Sequence, residues 1–121
     1  MATLQLTISL TEDGANVPGF PITRSVTASE TTGKQTFTRA TGGGYVELPL
    51  AELGAINALV MTTDKDVTLR FNDQTDGSLP IDANGLIVLV TSDIPSGASS
   101  KISLSNASGE TSTHTAYIGG V

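Results

Sequence analysis

Cysteine and tryptophan are absent from this chain, and the other aromatics number only three Phe and two Tyr. Without cysteine, no disulfide and no thiolate metal site can form. His114 is the single histidine, so zinc centres and proton relays built on several imidazoles lack partners. Basic residues are scarce too: six Lys and Arg face twelve Asp and Glu, a formal charge of −6. Arg24, Lys34, Arg39, Lys65, Arg70 and Lys101 are scattered along the chain. A phosphate backbone would be repelled on average, and no nucleic-acid partner is expected. No apolar run approaches the roughly 20 residues of a membrane span. The N-terminus MATLQLTISL lacks a charged n-region and a long apolar h-region. These features predict a soluble protein made in the cytosol, with no membrane partner.

Lys and Glu, the residues of exposed helices, are sparse, whereas Ser and Thr make up about a quarter of the chain and Gly is abundant. Thr suits a pleated, half-exposed surface, and Ser and Gly supply turns. The composition is all-β. At 121 residues the chain is most economically a single domain, 1–121. Residues 1–50 would supply an N-terminal arm or the first strands, and 55–121 the compact core.

The stretch 55–91 anchors this reading. Val67, Leu69 and Phe71 alternate with Thr68, Arg70 and Asn72, the two-residue period of a strand with one buried face. Leu86-Ile87-Val88-Leu89-Val90 is a continuous aliphatic run, as expected of a strand buried on both faces. Asp64-Lys65-Asp66 reads as a tight turn, so the strands flanking it are expected to pair antiparallel. Asn84-Gly85 suits positive φ before the apolar run.

Upstream, Leu4, Leu6, Ile8 and Leu10 alternate with polar residues and end in the turn 11–16. Pro18 and Pro21 bar a central strand between them. A strand over 22–28 would face Ile22 and Val26 inward. Residues 30–34 read as a hairpin loop, 35–40 as a strand around Phe37, and 41–44 as a glycine hinge. Residues 45–50 alternate again, and 51–54 allow one helical turn at most. Downstream, 93–100 is a loop, Ile102 and Leu104 alternate with serines, 106–109 turns, and 113–118 closes the chain. About eight short strands at spacings of roughly 8–12 residues predict an antiparallel β-sandwich of the jelly-roll kind.

No chemical motif stands above this background. Asn72 to Gly77 places oxygen side chains at alternate positions before a glycine, but Ala83 stands where a calcium loop needs its bidentate Glu. No serine lies in a G-x-S-x-G elbow, and the triple glycine lacks the following Lys of a phosphate loop. Asn106-Ala107-Ser108 matches a glycosylation sequon without a secretory signal to support its use. Asp64, Asp66, Asp73, Asp76, Asp82 and Asp93 all fall in expected turns, where a carboxylate bonds nearby backbone amides. A pair of them meeting as a general acid and base is the alternative. No catalytic, metal or cofactor residue is assigned, and an enzyme is not expected.

One pattern in the C-terminal half goes further. The order Ala55-Ile56-x-Ala58-Leu59-x-Met61-Thr62-Thr63-Asp64, then Val67-Thr68-Leu69-Arg70-Phe71-Asn72, then the run after Asn84-Gly85, then Ile102-Ser103-Leu104-Ser105-Asn106-x-Ser108-Gly109, resembles small virion proteins of tailed bacteriophages. In these a β-sandwich or jelly-roll module decorates the capsid or forms an accessory part of the tail. The resemblance covers about 55–121. It implies a structural protein of the virion, assembled in the host cytoplasm. Its partners would be itself, as a homo-oligomer such as a trimer, and the major capsid or tail proteins. The alternative is a glycan- or receptor-binding module of a tail or head fibre, for which Tyr45, Tyr117 and the phenylalanines are the available aromatic platforms, Phe37 and Phe71 being expected in the core.

Overall fold

The alternating runs of the sequence become strands. The computed structural model describes residues 1–42, 44–49, 53–71, 78–95 and 102–121, with Phe71 and residues 91–95 by backbone alone. Among the described residues there is no helix. Eight strands form two four-stranded antiparallel sheets packed face to face. Sheet I has the order β10 (Leu86–Pro95), β7 (Ala55–Thr63), β12 (Ser112–Gly120), β5 (Glu30–Arg39). Sheet II runs β6 (Val46–Glu47), β11 (Ile102–Ser105), β8 (Val67–Phe71), β9 (Ser78–Ile81). Four more strands, β1 (Ala2–Ile8), β2 (Thr11–Glu12), β3 (Ala15–Asn16) and β4 (Ile22–Ala28), make a separate hairpin arm. The expected all-β sandwich is the observed architecture. Its twelve strands exceed the expected eight or so chiefly because β2 and β3 are two residues each, too short for a periodic signal, and β9 lies in a stretch read as turn. Pro80 sits in β9, the outermost strand of its sheet, where a missing donor costs no ladder bond.

The core lies between the sheets. Sheet I contributes Ile56, Leu59, Met61, Ala116 and Ile118, and sheet II contributes Val67, Leu69, Ile102 and Leu104. Leu48 and Leu53 close the sides, and Phe37, Ile81, Ile87 and Leu89 pack against the cluster. In β8 the expected alternation holds, with Val67 and Leu69 buried and Thr68 and Arg70 half-buried.

Three local expectations are corrected. The strands flanking 64–66 do not pair with each other: β7 pairs with β10 and β12, and β8 with β11 and β9. The turn is instead a corner between layers. The Asp64 carboxylate accepts the Thr113 amide at 2.7 Å and the Thr63 hydroxyl donates to the Lys65 carbonyl at 2.8 Å, which ties the corner down without a hairpin. Residues 30–34 are not a loop but the first half of β5. Gly33, at φ 67°, lets that strand bend without breaking, close to the register shift between Tyr117 and Gly119. Finally, β10 is not buried on both faces. Ile87 and Leu89 point to the core, whereas Leu86, Val88 and Val90 are exposed on the outer face. The strand lies at the edge of sheet I, and nothing among the described residues covers that side fully. The turn before it forms as expected: Asn84 takes φ 64°, and the Gly85 amide donates to the Asp82 carbonyl at 2.9 Å.

Of the expected loop 93–100, Asp93 to Pro95 are instead the end of β10, where Ile94 and Pro95 pair with Ile56 and Ala55. Residues 96–100, the loop 72–77, and residues 51 and 52 of the expected helical turn lie outside the described residues. So does Gly43.

Candidate functional site

The arm is built by the alternation noted at the N-terminus. β1 and β4 pair over their whole length, from Ala2 opposite Ala28 to Ile8 opposite Ile22. Ala2, Leu4, Leu6 and Ile8 therefore share one face with Ile22, Arg24, Val26 and Ala28. At the tip, Asp13 and Gly14 take φ of 50° and 84°, and β2 pairs with β3. The arm's apolar face lies over the outer side of sheet I. Ala28 is fully buried there, and the Asn57 amide donates to the Thr27 carbonyl at 3.3 Å. Gly119 is the seat: a Cβ on it would lie 2.7 Å from Leu4 Cδ1 and 3.2 Å from Ala28 Cβ.

Coverage is complete only at this base. Farther out, a space of about 270 Å³ separates Leu4 and Leu6 from Ala58, Val60 and Tyr117. It continues into an open cleft of about 480 Å³ between Leu6 and Ile8 of the arm and Val60, Leu86 and Val88 of sheet I. Ile8, Leu86 and Val88 line this region, Val90 follows on the same face of β10, and the four are 37–61% exposed. No ionisable residue occurs in 2–10, 55–63 or 84–92, the segments that form it. The cleft is thus an uncharged surface on an acidic chain, mostly apolar, with Gln5, Thr7 and Ser9 beside its five aliphatic side chains. Sequence reading missed it, because the same alternation and the same aliphatic run are also what a covered strand would show.

A second cluster lies inside the fold. Ser112 and His114, neighbours on one face of β12, are both 0% exposed. The Ser112 hydroxyl and His114 Nε2 are 2.7 Å apart, and His114 Nδ1 lies 3.2 Å from the Thr62 carbonyl. A carbonyl can only accept, so Nδ1 carries the proton and Nε2 accepts from Ser112. Phe37 stacks on the imidazole with centroids 5.0 Å apart, and the Arg39 guanidinium sits 4.8 Å from the centroid of the Phe37 ring. Burial pushes the His114 pKa down, the Thr62 hydrogen bond opposes this, Arg39 lowers it further and Asp64 raises it. The net direction is down, so the ring is neutral. Closed off from solvent, this group is a buried polar strut between strands.

The remaining candidates take structural places. Asp64 binds the Thr113 amide, and Asp66 accepts the Ala83 amide at 2.7 Å. Each carboxylate secures a turn. Among the described residues no three His, Cys, Asp or Glu side chains come together as a metal site. Asn106 of the sequon is 3% exposed. Its amide donates to the Arg39 and Glu110 carbonyls at 3.0 and 2.7 Å, so its nitrogen is already committed inside the fold. Tyr45 is half-buried, with the Arg70 guanidinium 4.1 Å over its ring and its hydroxyl 3.3 Å from Ser78 Oγ. The half-buried Tyr117 donates to the Thr31 hydroxyl at 3.3 Å. No family model matches the chain, and no curated protein or solved structure is significantly similar to it.

Proposed function

We propose that this chain is a structural protein of a bacteriophage virion, working by protein–protein assembly as a capsid decoration or stabilisation protein or as a tail or neck accessory. The observation that supports the reading is the hairpin arm, an element outside the two sheets whose apolar face is covered at its base and open towards its tip. A two-stranded ribbon is marginal alone. One that keeps Ile8 and Leu10 exposed is suited to engaging a second surface. The sandwich then acts as a rigid body that repeated contacts of roughly 800 Å² per partner fasten to a lattice.

The reading is tested on particles. Purified virions should contain the chain in fixed proportion to a major capsid or tail protein. Adding back protein lacking residues 1–16 should fail to restore stability to particles stripped of it. Absence of the chain from purified virions would sink the proposal, and so would full rescue by the truncated protein. A glycan- or receptor-binding module is the second reading. Tyr45 supports it, because Arg70 covers one side of its ring and a sugar could stack only on the other. Saccharide binding abolished by Tyr45→Ala would establish that reading.

A further inference from the structure

We infer that the uncovered outer face of sheet I, with Leu86, Val88 and Val90 beside Ile8 of the arm, is the contact face of a homodimer. The occupant of the open cleft is the same face of a second copy of this chain.

Area is the first argument. Ile8, Leu86, Val88 and Val90 expose roughly 300 Å² of mostly apolar surface, at the lower end of the size range at which an exposed patch on a monomer is commonly functional. A standard interface buries about 800 Å² per partner, and about 65% of that is apolar in homodimers. The patch therefore supplies roughly half of the apolar area that one side of a stable dimer needs.

Charge is the second. At −6, two copies repel wherever their acidic residues approach. The three segments forming this face carry no ionisable side chain. The charges nearest along the strands are Arg24, cross-strand from Leu6, and Asp93 of β10, so contact here brings few like charges together. An isologous contact presents the same patch from both sides, and a neutral apolar patch satisfies that requirement without a complementary surface elsewhere. Other exposed edges are worse suited. β5 carries Glu30, Lys34 and Arg39, β9 carries Pro80, and β6 has two residues. β4 carries Arg24 and follows Pro21, whereas β1 on the cleft side has neither a charge nor a proline.

Of the virion reading this inference shares only self-association. A soluble dimer that is missing from virions would leave it standing, and a monomer that decorates virions would overturn it alone.

The test is sedimentation velocity on the full chain over a concentration series at low and high salt. The 12.4 kDa chain should shift to twice that mass, at lower concentration when salt screens the repulsion between acidic copies. Leu86→Lys and Val88→Lys, both at exposed positions, should weaken dimerisation at least tenfold while leaving the thermal midpoint of the diluted monomer unchanged. The inference is overturned by a wild type that stays monomeric into the millimolar range at both salts. A trimer, or a dimer indifferent to both lysine variants, would overturn it equally.

Discussion

His114 and Ser112 offer a test of how much a buried polar pair holds this sandwich together. Replacing His114 by Phe keeps a ring against Phe37 but removes the acceptor for the Ser112 hydroxyl and the donor to the Thr62 carbonyl. A buried group left unpaired costs about 1–3 kcal/mol. The Ser112 hydroxyl can turn towards the Arg39 carbonyl, 3.5 Å away, which moderates the loss, so His114→Phe should destabilise by about 2 kcal/mol. Ser112→Ala leaves His114 Nε2 without its donor and should cost about 1–2 kcal/mol. The double variant replaces both partners by apolar groups and should cost less than the sum, a coupling of about 1 kcal/mol. Thermal denaturation followed by circular dichroism reads this directly, since about 1 kcal/mol moves the midpoint of a chain this size by roughly 4 °C.

The pH dependence supplies an independent check on the same pair. Folding lowers the His114 pKa below its ordinary value of 6.5, first by desolvation. The unfolded chain therefore binds the proton more readily. This contribution to stability is complete above about pH 6.5 and is lost as pH falls from there through the folded value. Wild type should lose stability between about pH 7 and pH 5 more steeply than His114→Phe. Additive single variants with identical pH profiles would refute both the shared hydrogen bond and the neutral buried ring.

Three further outcomes follow from individual positions. Gly120→Ala should destabilise by about 1–3 kcal/mol, because its Cβ would press into the backbone of Ala55; urea unfolding measures this. Asn106→Ala should cost about 2 kcal/mol in the same assay, since the Arg39 and Glu110 carbonyls and the Ser108 amide all lose a partner. Ser103→Ala should be neutral or stabilising by up to about 1 kcal/mol. Ser103 is 1% exposed and its hydroxyl has no partner among the described residues, so a loss of stability there would contradict the assignment.

The sequence by itself determined the fold class and most strands, because a period of two reports directly on which side chains share a face. Val67 and Leu69 in β8, Ile102 and Leu104 in β11, and the Asn84-Gly85 turn were all legible from spacing and turn chemistry. Which strand pairs with which was not. Asp64-Lys65-Asp66 has the composition of a hairpin turn, yet it joins two layers, since pairing depends on partners far along the chain. Local sequence also could not separate the two faces of β10. Ile87 and Leu89 are as aliphatic as Leu86, Val88 and Val90, and only the packing of sheet II against the inner face of sheet I decides which set is covered. His114 looked like any strand residue between threonines. Its burial against Phe37 and Ser112 came from the docking of β5 and β7 on either side of β12. The chain encodes apolar faces locally. Whether a face becomes core or contact surface is set by what the rest of the fold lays against it.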